Sequence, residues 1–96
     1  MLTSEKWHAT AGFKLLWHTW DDESVVYHTG SGDTHLLDSV AAFVLKTLEK
    51  KTLNTFEIIE TLSQDSDLVT DENFHEFISQ LISKFNRLGL IERHSG

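Results

Sequence analysis

The spacing of the apolar residues changes once along this chain, near Leu37, and that change limits the folds available to it. Before this point, residues 15 to 37 alternate in the manner of β-strands. After it, apolar residues recur every three or four positions, as in amphipathic helices. A chain of 96 residues has room for one ordinary hydrophobic core. The sequence therefore predicts an α+β fold, strands before helices, in a single domain over residues 1–96 with its core at about residues 7–92.

The strand-like half contains three apolar segments separated by two polar turns. The segments LLWHTW and SVVYH flank the acidic turn DDE, and a second turn, TGSGD, leads into THLL. This order predicts a three-stranded antiparallel β-meander. With three residues in the first turn (Asp21, Asp22 and Glu23), the core face carries Leu15, Trp17, Thr19, Val25 and Tyr27. The opposite face then carries Leu16, His18, Trp20, Val26 and His28.

Two capping patterns predict the first two helices. Asp38 is a suitable N-cap for a helix to about Glu49 that is apolar over most of its surface and therefore central. Asn54 and Glu57 have the spacing of a capping box, which opens a short second helix to about Gln64.

The third helix is the strongest signal in the sequence. Thr70 or Asp71 is its expected N-cap, and Gly89 suits the left-handed position just past its end. Its apolar residues keep the three-four spacing for four turns: Phe74, Phe77, Ile78, Leu81, Ile82, Phe85 and Leu88. The predicted order is therefore β-β-β-α-α-α, a three-helix bundle packed on one face of the meander, in a winged-helix-like arrangement.

Charge and composition disfavour several classes of function. The formal net charge is −7, and a surface of that sign repels phosphate backbones, so a nucleic-acid partner is not expected. A winged-helix DNA-binding regulator is the alternative reading, but acids, among them Glu72 and Glu76, are concentrated at the start of the third helix. No apolar run resembles a signal peptide or a membrane span, so we expect a cytoplasmic protein without a membrane partner.

The residues that carry chemistry do not form a recognisable catalytic or metal-binding pattern. The chain has six His and no Cys, and no His-x-x-x-His pair with a third converging ligand is evident. His18 and His28 are expected on one sheet face, and the histidines in general are expected to face solvent. The GSGD segment lacks the Lys of a phosphate loop and is predicted to form a hairpin turn. We therefore expect no enzyme activity, no metal and no cofactor.

The third strand, THLL, is predicted to form an edge of the sheet. Thr34–Leu37 contains no Pro, Lys or Glu, residue types that commonly protect an edge from pairing with another chain. This edge is therefore available for an added strand, whose alternate side chains would point toward apolar pockets at Phe74 and Ile78. His35 alternates with Leu36 and is expected to point away from the groove or core. One alternative stays open: the segment at residues 7–13, or a second copy, covers the edge.

Several segments together resemble members of the PqqD-like family. The string WHTWDDESVVYHTGSGDTHLLD, the apolar helix SVAAFVLKTLE and the ending LISKFNRLGLIE are similar to a branch found with an HPr-kinase-related protein. The resemblance implies a non-catalytic winged-helix domain that recognises precursor peptides. Such a domain binds the leader of a ribosomally made peptide along the third strand and beside the third helix, and presents it to a modifying enzyme.

The resemblance also implies the site and the partners. On this sequence, the expected peptide-binding residues are Thr34, His35, Leu36, Leu37, Phe74, Ile78 and Leu81. The expected partners are a precursor leader peptide and its modifying enzyme, with an HPr-kinase-related protein in the same system, and a homodimer stays open. The founding member of the family serves pyrroloquinoline quinone (PQQ) biosynthesis. Because this chain departs from that member in its WDDE stretch, its own substrate need not be the quinone precursor.

Overall fold

Two antiparallel sheets and three helices enclose one apolar core in the computed structural model, which describes residues 5–21, 23–65 and 72–94. The elements, in chain order, are β1 (Lys6–Ala9), β2 (Leu15–Trp20), β3 (Glu23–His28), β4 (Thr34–Leu37), α1 (Ser39–Lys50), β5 (Leu53–Asn54), α2 (Thr55–Asp65), α3 (Glu72–Arg87) and β6 (Ile91–Arg93). One sheet has the strand order β2-β3-β4, and the other has the order β5-β1-β6.

The predicted α+β class and element order are confirmed. Strands β2, β3 and β4 form the antiparallel meander, and α1, α2 and α3 follow it. Helices α1 and α2 end within one residue of their predicted ends, at Lys50 and Asp65. The proposed caps of α3, Thr70 and Asp71, lie outside the described residues.

The second sheet was not predicted, because its strands are only two to four residues long. Strand β1 pairs antiparallel with both β5 and β6, so that Trp7 lies opposite Leu53 on one side and Arg93 on the other. The N-terminal segment thus joins the C-terminal one. One alternative from the sequence was that this segment covers β4. Strand β1 pairs with β5 and β6 instead, so it does not cover β4.

The turn between β2 and β3 is one residue shorter than expected. Strand β2 ends at Trp20 and β3 begins at Glu23, so two residues connect them, and Asp21 has a φ of 50°. Two-residue hairpin turns favour such positive φ values. Since side chains alternate between the faces, the shorter turn exchanges the two faces of β3 relative to the prediction. Val26 and His28 therefore face the core, whereas Val25 and Tyr27 lie on the outer face.

The core lies between the inner face of the meander and the helices. Helix α1 is central, as predicted, and buries residues around most of its surface: Ala41, Ala42, Val44, Leu45 and Leu48. Helix α3 contributes a narrower buried stripe that consists of Ile78, Ile82 and Phe85. Leu90 and Ile91, after α3, are also fully buried. No helix of the described segments is long and apolar enough to cross a bilayer.

The predicted helix signals form as expected. The Asp38 carboxylate accepts a hydrogen bond from the Ala41 N–H at 2.8 Å. Asn54 and Glu57 bond each other's backbone N–H groups at 2.8 and 2.9 Å, which completes the capping box. Gly89 has a φ of 78°, and the Leu90 N–H that follows donates to the Phe85 carbonyl at 2.9 Å.

His28 is buried, contrary to the expectation that the histidines face solvent. Its Nδ1 accepts hydrogen bonds from the backbone N–H groups of Gly30 and Ser31, both at 3.0 Å. Since Nδ1 is an acceptor, the ring proton is on Nε2, which donates to the Gly89 carbonyl at 3.1 Å. His18 lies on the opposite face of the sheet and is exposed. His28 therefore joins the β3–β4 turn to the end of α3.

Replacing His28 with Phe should lower the free energy of unfolding by about 2 to 3 kcal/mol, because two backbone donors and one carbonyl lose their partner while the ring volume is kept. Urea unfolding measures this change. The matched control is His75→Phe, an exposed position on α3, where we expect a change within about 0.5 kcal/mol. Equal stability of the His28→Phe variant and the wild type would contradict this role.

Candidate functional site

The outer edge of β4 carries main-chain groups that β3 does not use. In the described part of the chain, β4 pairs only with β3. The His28 N–H donates to the Asp33 carbonyl at 2.9 Å, which makes these two residues a hydrogen-bonded pair of the ladder. Such pairs alternate along antiparallel strands, so His35 and Leu37 bond to β3. The N–H and C=O groups of Thr34 and Leu36 therefore face away from the sheet.

A groove of about 260 Å³ runs beside this edge, between β4 and α3. Its lining consists of Leu36, Leu37, Asp38, Ala41, Phe77, Gln80, Leu81, Lys84 and Phe85. Leu37, Ala41 and Phe85 are buried and form an apolar floor, whereas Phe77 on the wall is 43% exposed. The groove thus offers apolar contacts directly beside the unpaired main-chain groups of β4.

Three of the predicted site residues line this groove, namely Leu36, Leu37 and Leu81. Thr34 and His35 lie on β4 itself. Phe74 lies one turn away: it is half-buried, and its ring centroid is 6.3 Å from that of Phe77. These residues lie on β4 and α3, with the side chains of Thr34 and Leu36 on the outer face of the sheet and those of His35 and Leu37 on the inner face.

Ile78 does not line the groove, contrary to the prediction from the sequence. Its side chain is fully buried in the core, because α3 turns the stripe of Ile78, Ile82 and Phe85 inward. The adjacent row of α3, spaced by four and three residues, is formed by Phe77, Leu81 and Lys84 and faces the groove. A peptide can contact that row, but not Ile78.

His35 also differs from the expectation that it points away from the core. It lies opposite the buried Val26, on the inner face of the sheet, and is half-buried. Its Nε2 atom is buried and has no hydrogen-bond partner among the described residues. Leu36, not His35, is the exposed residue of the pair, with 63% of its surface accessible.

Sequence reasoning missed Phe77, Gln80 and Lys84 as groove residues. The apolar pattern predicts Phe77 as part of the stripe of α3, and the two polar residues lie outside that stripe. A signal was nevertheless present, because six apolar residues in the 16 positions of α3 are more than one buried stripe needs. Phe77 is the most exposed member of this set, and it lies on the groove wall.

A larger cleft of about 650 Å³ lies between the β1–β2 connection and the C-terminal end of α1. It contains Lys14, Lys50 and Lys51, and also His8 and His94, whose ring centroids are 5.8 Å apart. The described residues contain no group of three or more His, Asp or Glu side chains that could hold a metal ion. The larger volume of this cleft therefore does not make it the candidate site. The β4 edge is preferred because it combines unpaired main-chain groups with an apolar groove.

Thr10 and Ala11 of this cleft both bond to the Glu92 carboxylate, whose pKa is lowered from the ordinary value. The main cause is a hydrogen bond from the Ala11 N–H at 3.0 Å, and the Thr10 hydroxyl adds another at 2.9 Å. Both bonds stabilise the charged form. They attach β6 to the segment after β1, so this carboxylate has a structural role.

Comparisons with known proteins agree with this fold. A solved structure of TbiB1 in complex with the TbiA(beta) leader peptide is similar, with a TM-score of 0.70 and 19% sequence identity. The match covers 93% of this chain and 99% of that chain. No curated protein matches the sequence significantly.

The family comparison covers most of the chain. A family model described as coenzyme PQQ synthesis protein D (PqqD) matches residues 23–91. This range runs from the first residue of β3 to the first residue of β6, and so contains the β4 edge, α3 and the groove between them. The chain therefore belongs to the PqqD family.

Proposed function

We propose that this protein is a non-catalytic peptide chaperone, which binds the leader segment of a ribosomally made precursor peptide and presents it to a modifying enzyme. The observation that carries the proposal is the outward-facing main chain of Thr34 and Leu36 beside an apolar groove. A peptide that adds a strand to a sheet edge needs these two features, since hydrogen bonds give affinity and pockets give specificity. Membership of the PqqD family and the leader-bound state of the similar TbiB1 structure support it.

The geometry of β4 defines how the leader would bind. Two outward-facing residues offer up to four main-chain hydrogen bonds, each worth about 1 kcal/mol net. Alternate side chains of the added strand would lie on the inner side, toward Phe77 and Leu81. Apolar leader residues suit these positions. A site this short predicts an exchangeable complex, which suits a protein that hands its peptide on.

The meander has a second edge at β2, and its surroundings are different. The Thr29 N–H donates to the Lys14 carbonyl at 3.1 Å, so the main chains of Leu15, Trp17 and Thr19 face outward there. Two charged side chains of α1 contact Trp17 on that edge. Glu49 accepts a hydrogen bond from the Trp17 indole at 3.1 Å, and the Lys46 ammonium is 4.9 Å from the Trp17 ring centroid. The apolar groove adjoins β4 and not β2, which favours β4 as the peptide site.

Charge favours this function over a DNA-binding regulator. Glu72 and Glu76 are exposed at the start of α3, the end that a recognition helix brings to the bases. Acidic groups there repel DNA phosphates. They favour leaders that carry some Lys or Arg instead.

The remaining parts of the proposal concern the setting. The partners are the precursor peptide and its modifying enzyme, with an HPr-kinase-related protein in the same system. The protein works in the cytoplasm, as one domain, and without a cofactor or metal. A short precursor reading frame and an enzyme gene beside this one would identify both partners.

Leu36→Pro should weaken leader binding at least about tenfold, because it removes an outward N–H and places a ring against the incoming strand. The fold should persist, since Pro is tolerated on edge strands where the N–H faces solvent. Isothermal titration with the leader encoded beside this chain measures the change. Leu36→Ala keeps the N–H and should cost less.

The matched control for this substitution is Thr19→Pro, which removes an outward N–H from the β2 edge. It should leave leader affinity unchanged. Weakened binding by Thr19→Pro, with normal binding by a folded Leu36→Pro variant, would move the site to β2. Circular dichroism and melting of each variant establish that it is folded.

Phe77→Asp should also weaken leader binding, because it places a charge against apolar peptide side chains at a cost of a few kcal/mol. Phe77 is partly exposed, so the melting temperature should change little. Ile78→Asp, one residue further, should unfold the domain instead, because Ile78 is completely buried. Thermal melting and titration together distinguish the two effects. Full leader affinity in a folded Phe77→Asp variant would exclude the groove.

A further inference from the structure

The outer face of the β2-β3-β4 sheet is apolar, although it does not face the core. Antiparallel sheets with one buried face usually carry polar residues on the other face. Here four large apolar residues of this face are exposed: Leu16 by 48%, Trp20 by 41%, Tyr27 by 39% and Leu36 by 63%. We call the set that they form with His18 and Val25 the outer patch.

The outer patch is continuous across the three strands. Leu16 lies opposite Tyr27, His18 lies opposite Val25, and Val25 lies opposite Leu36. Directly opposed side chains on one face have Cβ atoms about 5 Å apart and touch. The rings of His18 and Trp20 also approach, with centroids 5.2 Å apart. Contiguous exposed apolar surface of this kind marks an interaction site more often than scattered residues do.

Acidic residues lie at both ends of the outer patch, and one of them, Glu23, shares its face opposite Trp20. Asp21 and Glu23 lie at the β2–β3 end, and Asp33 precedes β4 at the other end. A second copy of this chain would bring the same acidic residues, and its net charge of −7, to the contact. A partner with Lys and Arg around an apolar surface matches this rim better.

Area also argues against a second copy. Three strands about 4.8 Å apart and some 20 Å long make a patch of roughly 250 to 300 Å². Stable interfaces bury about 800 Å² on each partner. A strand added at β4 would widen the sheet, and its outward side chains would lie beside Leu36 on the same face. The patch and the peptide edge are therefore parts of one continuous surface.

We propose that the outer patch is the docking surface for the peptide-modifying enzyme, through an apolar area bordered by Lys and Arg on that enzyme, and that the bound leader enlarges it. The identity of this partner rests on the proposed function. The loaded protein should bind the enzyme more tightly than the empty one. The surface that holds the leader and the surface that meets the enzyme then share only β4.

The probe is the purified modifying enzyme encoded beside this chain, titrated with the protein with and without leader. Trp20→Thr and Leu16→Thr, which keep strand-forming residues, should each weaken enzyme binding at least about tenfold and leave leader affinity within about twofold. Glu23→Lys should weaken enzyme binding as well. The matched control is Phe56→Thr on α2, a position that is 63% exposed and outside the patch, and it should change neither affinity.

Enzyme binding equal to wild type in folded Trp20→Thr and Leu16→Thr variants would overturn the proposal. So would sedimentation that shows a wild-type dimer dispersed by the same substitutions, since a second copy would then cover the patch. Titration of the empty protein keeps this test separate from the proposed function. If the wild-type protein binds no leader, the proposed function is contradicted. The role of the outer patch is tested separately, by measuring whether the Trp20→Thr and Leu16→Thr variants bind the enzyme in the absence of leader.

Discussion

The hydrogen bonds of His28 determine which groups of β4 are available to another chain. Its ring accepts hydrogen bonds from the N–H groups of Gly30 and Ser31 and donates one to the Gly89 carbonyl. These three bonds fix the β3–β4 turn against the end of α3. The turn sets the register, and the register turns the main chains of Thr34 and Leu36 outward. Because the same ring bonds to the Gly89 carbonyl just past α3, one buried side chain contacts both the turn before β4 and the end of the helix that borders the groove.

Local signals in the sequence were sufficient for the fold class. The change of period near Leu37, the Asp38 cap, the Asn54–Glu57 box and Gly89 each act within a few residues, and each forms as expected. The short strands β1, β5 and β6 carry too few residues for a period to be visible. They depend on pairing between distant parts of the chain.

The site was only partly predictable, because it depends on two quantities that a sequence does not display. One is the length of the β2–β3 turn, since a single residue decides whether Val25 or Val26 faces the core. The other is the rotation of α3, which buries Ile78 and leaves Phe77 at the groove. Leu81, one of the predicted site residues, lines the groove because it lies on the border of the buried stripe. The sequence predicts that β4 is an edge strand with unpaired main-chain groups. Which of its residues point those groups outward depends on the pairing register with β3, which the sequence does not show.

Amide hydrogen exchange, with and without leader, tests the central claim most directly. In the free protein, the Thr34 and Leu36 amides should exchange rapidly, whereas those of His35 and Leu37 should already be protected by β3. Leader binding should slow exchange at Thr34 and Leu36 and leave the β2 edge unchanged. Protection that appears at Leu15, Trp17 and Thr19 instead, or unchanged exchange at Thr34 and Leu36 with leader bound, would contradict strand addition at β4.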